Sequence, residues 1–180
     1  LLVERSCYDE VVEIARRAAE ATAVGNPEEE GDHIGPLFDQ IQFDRVQNMI
    51  QVGIDEGATL LVGGLGRPEG FDAGWYVRPT VFSDVNNTMR IAREEIFGPV
   101  LAIIPFDDEE AAIEIANDTP YGLAAYVQTG SPERAARLSR SLRAGAVHIN
   151  GGAYEYGSPF GGYKASGNGR EGGEMGLEDF

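Results

Sequence analysis

The chain has 180 residues, of which 42% are hydrophobic, and its formal net charge is −16. This length and composition are those of one globular domain with a buried core. The acidic balance argues against binding to nucleic acid or to an anionic membrane, which requires basic patches, and no apolar stretch approaches the roughly 20 residues of a membrane span.

The first half of the chain predicts two amphipathic helices. Apolar residues recur at helical spacing over 8–23, and Ser6 to Asp9 resemble a capping box at the start of that helix. A second helix is expected after Asp39, and Gly57 ends it. The remaining elements of this half are short: a strand at 58–62, a β-rich segment at 76–82 and a helix at 89–94.

From about residue 99 the predicted order is strand, helix, strand, helix, strand, which indicates a βαβαβ unit with parallel strands. Leu138 and Leu142 are expected to bury the second of these helices. The predicted fold class is therefore α/β, with a parallel-rich sheet and helices on both faces. In order, the elements are a fully buried strand at Val100–Ile104, a helix from Asp107 or Asp108 to Ala116, a strand at Ala124–Gln128, a helix that starts at Ser131-Pro132-Glu133 and a strand at Ala146–Ile149.

The tail, residues 151–176, is a long irregular segment rich in glycine and aromatic residues, which is typical of a functional loop. It contains Gly167-x-Gly169-x-x-Gly172, the spacing of a dinucleotide-binding fingerprint. That fingerprint needs a strand before it and an acidic residue ~20 positions later, and this segment has neither. We reject it as a Rossmann turn, while a glycine-rich anion-binding loop with its own ligand stays open.

Few residues offer nucleophilic or metal chemistry. The single cysteine, Cys7, excludes an internal disulfide or a cysteine-cluster zinc site, no metal-ligand spacing appears, and a reducing cytoplasm is the expected compartment. Cys7 lies at a helix start, but a thiolate nucleophile needs a base. His148 lies in a buried-strand pattern and is expected to be packed, whereas His33 lies in an acidic loop and is expected to be solvated. A Cys–His pair is not favoured.

One short segment, EEIFGPV at 94–100, places two carboxylates just before an aromatic residue and a Gly-Pro pair. A carboxylate accepts two hydrogen bonds, which suits a vicinal diol such as a ribose, and the ring of Phe97 could pack on a flat ligand. Gly98 permits a close backbone approach. The same pattern fits a helix end followed by a core strand, and the residues alone favour that structural interpretation.

Several long motifs occur together in one order: EEIFGPV at 94–100, NDTPYGLAAYV at 117–127, GAVHIN at 145–150 and SPFGGYKASGNGRE at 158–171. With GPLFDQIQFDRV and YVRPTVF before them, they resemble the C-terminal half of the aldehyde dehydrogenase superfamily over essentially the whole chain. In that family an NAD(P)⁺-dependent enzyme oxidises an aldehyde to a carboxylate. A cysteine forms a thiohemiacetal and then a thioester, which a glutamate-activated water hydrolyses.

The resemblance also implies roles for individual residues. Glu95 would hold the hydroxyls of the nicotinamide ribose, Phe97 would pack near the nicotinamide, and Gln42 would lie along the ribose. The cofactor would be NAD or NADP, with only a half-site in this chain. On the substrate side the resemblance implies Tyr154 and Phe160 at the aldehyde entrance, and Glu171 at a position linked to proton transfer during deacylation.

The chain departs from the family pattern at its nucleophile. The family cysteine lies in a G-Q-x-C segment before the strand that opens this chain, and Cys7 does not match it. The resemblance therefore implies that residues 1–180 form a single partial catalytic domain, incomplete at both ends and inactive alone. Its expected partners are an aldehyde, the cofactor-binding domain of the same polypeptide and further copies in a homo-oligomer. The alternative is a non-catalytic binding or assembly module that reuses the fold.

Overall fold

A computed structural model describes residues 1–152 and 157–178. The chain divides into two compact units, Leu1–Asp108 and Glu109–Phe180. The sequence predicts that these units act as a single domain, and this stays a prediction. The helices are Tyr8–Ala21 (α1), Gln40–Asp55 (α2) and Arg90–Arg93 (α3) in the first unit, and Glu109–Asn117 (α4), Pro132–Ser141 (α5) and Gly173–Glu178 (α6) in the second.

The strands are short, and most of their pairings are parallel. They are Leu2–Glu4 (β1), Ala23–Val24 (β2), His33–Ile34 (β3), Thr59–Val62 (β4), Thr80–Ser83 (β5), Val100–Ala102 (β6), Ile104–Phe106 (β7), Ala124–Val127 (β8) and Ala146–Ile149 (β9). Within the described residues, β1–β7, β2–β3, β5–β6 and β8–β9 are parallel, and β4–β5 is antiparallel. The parallel-rich α/β class predicted from the sequence is confirmed.

The elements after residue 99 follow the predicted order of strand, helix, strand, helix and strand, with the first strand divided in two. β8 and β9 pair in parallel, as expected, whereas β6 pairs with β5 and β7 pairs with β1. The single strand predicted at Val100–Ile104 is interrupted, because the amide of Ile103 donates to the Phe82 carbonyl and that of Ile104 donates to the Leu1 carbonyl. The chain changes partners at Ile103. This residue is fully buried, while Val100–Ala102 is only half-buried.

The starts of the helices show which predicted caps form. The Asp39 carboxylate accepts a hydrogen bond from the backbone N–H of Gln42 at 2.8 Å, which caps α2 as expected. The capping box at α1 is wrong. Ser6 lies in a 3-10 turn, its hydroxyl donates to the Glu4 carboxylate, and no side chain caps the helix.

Most of the buried hydrophobic residues in the described part of the chain lie in the first unit. Val3, Tyr8, Val81 and Ile103 form a buried cluster against which α1 packs. In the second unit the prediction for α5 is only partly met, because its residues Leu138 and the adjacent Leu142 are half-buried. Among the described residues, no helix is both long enough and apolar enough to cross a membrane.

Candidate functional site

The two neighbouring glutamates that follow α3 have different surroundings. The carboxylate of Glu94 accepts two hydrogen bonds from Arg90, at 2.8 and 3.2 Å, one helical turn earlier. These bonds are the main reason that the pKa of Glu94 is lowered. Glu95 is exposed, and within residues 1–152 and 157–178 its carboxylate takes part in no hydrogen bond or ion pair. The Glu95 carboxylate is therefore available for a ligand, whereas that of Glu94 is already bound by Arg90.

Phe97 has an unusual backbone conformation. Its φ of 59° lies in the left-handed region, which a residue with a Cβ rarely adopts, and the residue is 70% exposed. The backbone behind it is crowded, because a Cβ on Gly98 would lie 2.7 Å from Val46. The turn therefore packs its backbone against α2 and leaves the aromatic ring accessible.

Gln42 lies beside this turn. Its side-chain amide donates to the Phe97 carbonyl at 2.5 Å and more weakly to the Ile96 carbonyl at 3.4 Å. Gln42 and Phe97 line one cavity of about 690 Å³, and Glu94, Glu95 and Phe97 all line a neighbouring one of about 420 Å³. The structure thus brings together all three residues expected to contact the cofactor.

Two further residues at this site were missed by the sequence reasoning. Phe38 and Ile41 line the same cavity as Gln42, and they are 94% and 79% exposed. They flank Asp39, the residue that caps α2. Two large apolar residues around a helix cap could have indicated this site from the sequence, because they fall outside the buried stripe of the helix.

In the second unit, the structure pairs Phe160 with Glu171. Each backbone amide donates to the other residue's carbonyl at 2.7 Å, forming an isolated antiparallel bridge. The Glu171 side chain is exposed, Phe160 is 41% exposed, and both line cavities of about 410 and 540 Å³. Tyr154, the third residue predicted on the substrate side, lies outside the described residues.

The glycine-rich tail is explained by close backbone packing. A Cβ on Gly161 would lie 2.1 Å from the Gly169 carbonyl oxygen. The Arg170 guanidinium donates to the carbonyls of Gly162 and Gly169 at 2.8 and 3.0 Å. The guanidinium of Arg170 is thus bound by backbone carbonyl oxygens, and the glycines have a structural role. The segment before Gly167 is a 3-10 turn, which agrees with rejecting a Rossmann fingerprint.

The remaining candidates have local structural contacts. His33 is half-buried and its Nε2 lies 2.9 Å from the Asn26 carbonyl, so the expectation of a solvated histidine is wrong. His148 is half-buried and stacks on Tyr126 with ring centroids 4.9 Å apart. The Cys7 thiol is 3.4 Å from the Glu4 carbonyl. In the part of the chain that the structure describes, no three His, Cys, Asp or Glu residues are grouped as metal ligands.

The decisive observation for the family is a match along the full sequence. The sequence model described as the aldehyde dehydrogenase family matches residues 1–180. The chain belongs to the aldehyde dehydrogenase family. This confirms the resemblance carried by the EEIFGPV and SPFGGYKASGNGRE motifs.

Individual members of the aldehyde dehydrogenase family agree in sequence and fold. A 3-succinoylsemialdehyde-pyridine dehydrogenase from Pseudomonas is 52% identical over 180 residues, which is 100% of this chain and 38% of that protein. An aldehyde dehydrogenase from Bartonella henselae superposes with a TM-score of 0.96 at 50% identity, covering 99% of this chain and 38% of that one. One from Mycobacterium tuberculosis, complexed with NAD⁺, superposes with a TM-score of 0.94 at 52% identity, covering 99% and 37%. The chain thus spans well under half the length of these relatives.

Proposed function

We propose that this chain supplies the nicotinamide side of the cofactor site, and part of the aldehyde site, of an NAD⁺-dependent aldehyde dehydrogenase that forms carboxylates. The observation that carries the proposal is the difference between two adjacent glutamates. Arg90 engages Glu94, while the Glu95 carboxylate is available beside the exposed ring of Phe97. A diol acceptor next to an accessible aromatic face fits a ribose that bears a flat ring.

The residues of the cofactor side have separate tasks in this proposal. NAD⁺, when bound, accepts the hydride from the substrate. The Glu95 carboxylate accepts hydrogen bonds from the two ribose hydroxyls, and the Phe97 ring packs near the nicotinamide. Gln42 has less freedom than the resemblance implied, because its amide N–H₂ group donates to the carbonyls of the turn. Only its Oε1 atom is left to accept a hydrogen bond from the ribose.

On the substrate side, Phe160 supplies an apolar wall and Glu171 an exposed carboxylate that can take up a proton. Their backbone bridge keeps them adjacent. Tyr154 keeps its proposed place at the aldehyde entrance. NAD rather than NADP is the proposed cofactor, supported by the NAD⁺ complex of the Mycobacterium tuberculosis relative.

The proposal requires partners beyond these residues. Cys7 lies in a 3-10 turn with its thiol directed to the Glu4 carbonyl, which is no arrangement for a nucleophile. We propose that the reactive cysteine and the cofactor-binding domain belong to the same polypeptide outside residues 1–180. The complete protein is proposed to be a homo-oligomer of the cytoplasm.

A chimaera tests this function. The 180 residues would replace the matching segment of the Mycobacterium tuberculosis relative, which is 52% identical and has been seen with NAD⁺. We expect NAD⁺-dependent oxidation of aldehydes. Glu95→Gln should raise the KM for NAD⁺ about tenfold or more, since hydrogen bonds to a charged group contribute about 1.5–3 kcal/mol. The adjacent Glu94→Gln is the matched control and should leave this KM within about twofold.

Three results would contradict the proposal. Equal effects of Glu95→Gln and Glu94→Gln in an active chimaera would remove the cofactor role of Glu95. Robust NADH production by the 180-residue chain alone would refute the half-site. A folded but inactive chimaera would favour the non-catalytic binding module. Should the chimaera not fold, saturation-transfer NMR of NAD⁺ with the 180-residue chain compares the same two variants.

A further inference from the structure

We propose that Gln42 and Arg45 act as positioning residues that hold the turn of Glu95, Ile96 and Phe97 in the conformation that presents it to the cofactor. We call this pair the α2 clamp. The inference rests on the proposed function and deepens it, because it concerns what places the two cofactor-contacting side chains. Neither the sequence pattern nor the resemblance pointed to Arg45.

The clamp consists of side-chain donors from one helix face to successive backbone carbonyls. Gln42 and Arg45 are three residues apart on α2 and therefore project from the same side. The Arg45 guanidinium donates to the Glu95 carbonyl at 2.8 Å. Gln42 donates to the carbonyls of Phe97 and, at a longer distance, Ile96. Three consecutive carbonyls are thus held by two side chains some 50 residues earlier in the chain.

The turn needs such support because its conformation is unfavourable by itself. A non-glycine residue in the left-handed region costs of the order of a factor of ten or more in equilibrium population, and Phe97 sits there with φ of 59°. The residue is 70% exposed, so burial of its side chain offsets little of that cost. Hydrogen bonds to the carbonyls on both sides are the contacts that oppose relaxation of the backbone.

The base of the clamp is rigid. Asp39 caps the helix through the backbone N–H of Gln42, and Val46, next to Arg45, has no exposed surface. Val46 also lies against Gly98, where a Cβ would come within 2.7 Å. The helix therefore contacts the three residues of the turn and the following Gly98, and displacement of its donors would be resisted by the core.

The arrangement also separates two uses of Glu95. Its carbonyl binds Arg45, while its carboxylate is left without a hydrogen bond or ion pair in the described part of the chain. A cation that paired with the carboxylate would compete with a ribose. Binding the backbone of Glu95 keeps the residue in place without that competition.

The test uses the chimaera described above, with Arg45→Met and Gln42→Met. Methionine keeps the length of each side chain and removes its donors. Arg45→Met should raise the KM for NAD⁺ about three- to tenfold, the range expected from one hydrogen bond, and change kcat less than about twofold. Gln42→Met should raise the KM further, because it also removes the oxygen proposed to accept from the ribose, so Arg45→Met isolates the positioning role. Arg45→Lys restores a cationic donor and should bring the KM for NAD⁺ most of the way back to its original value. If Arg45 acted only through the packing of its side chain, this recovery would not be expected.

Matched controls lie on exposed helix faces away from the turn. Arg17→Met removes a guanidinium that pairs with Glu13 within α1, and Gln51→Met removes an amide that donates to Asp55 within α2. Both should leave the KM for NAD⁺ unchanged. Clamp variants that behave like these controls, while Glu95→Gln still raises the KM, would overturn the clamp alone. Loss of the Glu95→Gln effect would instead overturn the proposed function.

A second measurement keeps the inference testable if the chimaera does not fold. The amide of Val100 donates to the Gly98 carbonyl at 2.8 Å, so its hydrogen exchange in the 180-residue chain reports on the turn. Arg45→Met and Gln42→Met should speed this exchange about three- to tenfold. The amide of Val85, bonded to Ile103, should be unaffected. Unchanged exchange at Val100 would refute the clamp.

Discussion

Gly145, the residue before β9, lies against the backbone of the tail. A Cβ at this position would lie 1.6 Å from the Gly161 carbonyl oxygen and 3.0 Å from the Gly162 Cα. These are backbone atoms, so no side-chain rotation can relieve the overlap. Because 3.0 Å is a practical lower limit for such a contact, Gly145→Ala has to displace the tail by about 1.4 Å, the difference between 3.0 and 1.6 Å.

The cost of that displacement is limited by what ties the tail down. The amides of Tyr163 and Ala165 donate to the carbonyls of Gly122 and Pro120, both at 2.9 Å. The Gly122 amide donates to the Ser166 hydroxyl at 3.1 Å. If the tail is released, these three hydrogen bonds are lost at about 0.5–1.5 kcal/mol each, which predicts a loss of about 1.5–4.5 kcal/mol of unfolding free energy.

Urea denaturation followed by circular dichroism measures this loss. Gly130→Ala is the matched control in the same unit, since a Cβ there would meet nothing within 4 Å and its φ is not positive. The control should be neutral or slightly stabilising. The reasoning would be refuted if Gly145→Ala matched Gly130→Ala within about 0.5 kcal/mol, the size of an ordinary surface effect, or if the Tyr163 and Ala165 amides kept their protection from hydrogen exchange.

Two further predictions concern a buried tyrosine and a helix cap. Tyr8 accepts a hydrogen bond from the Asp84 amide at 2.7 Å, so Tyr8→Phe should cost about 1–2 kcal/mol in urea denaturation, and no loss would contradict that bond. Burial is the main cause that raises the pKa of Tyr8 in the folded chain above its ordinary value of 10.0. The protonated tyrosine therefore contributes its full stabilisation below pH 10.0, and this stabilisation is lost as the pH rises through the pKa of the folded state. The unsubstituted chain should therefore lose stability more steeply in alkali than Tyr8→Phe, and parallel pH profiles would show that the shift is absent. The Ser131 hydroxyl accepts a hydrogen bond from the Arg134 amide at 3.2 Å and caps α5, so Ser131→Ala should lower the free energy of unfolding by about 1 kcal/mol. Ser139→Ala, on the same helix, should lower it less. Equal losses in the two variants would exclude the cap.

The sequence predicted well those features that depend on neighbouring residues. The periodic apolar residues placed helices at 8–23 and after Asp39, and the structure has them at Tyr8–Ala21 and Gln40–Asp55. Ser131 caps its helix as its position before proline indicated. Periodicity, caps and breakers act over a few residues, so they are readable from the chain itself.

The candidate site was readable only in part. The residues of EEIFGPV alone favoured a helix end, and only the motifs taken together pointed to Glu95 and Phe97. A structural role for Glu94 was readable, because Arg90 and Glu94 are four residues apart on a predicted helix, whereas the surroundings of the Glu95 carboxylate were not. The left-handed turn at Phe97 was also unforeseen, since phenylalanine is not a residue that favours that region.

The sequence by itself determined the family, the fold class and the helices, because long motifs and local periodicity carry that information. Only the tertiary structure decided the break in the strand at Ile103. There the backbone stops binding Phe82 and, from Ile104, binds Leu1 instead. Only it showed that Arg45 holds the Glu95 carbonyl. Both features depend on atoms that are distant along the chain, and the free energy of such contacts is set by packing rather than by the residue types of neighbours.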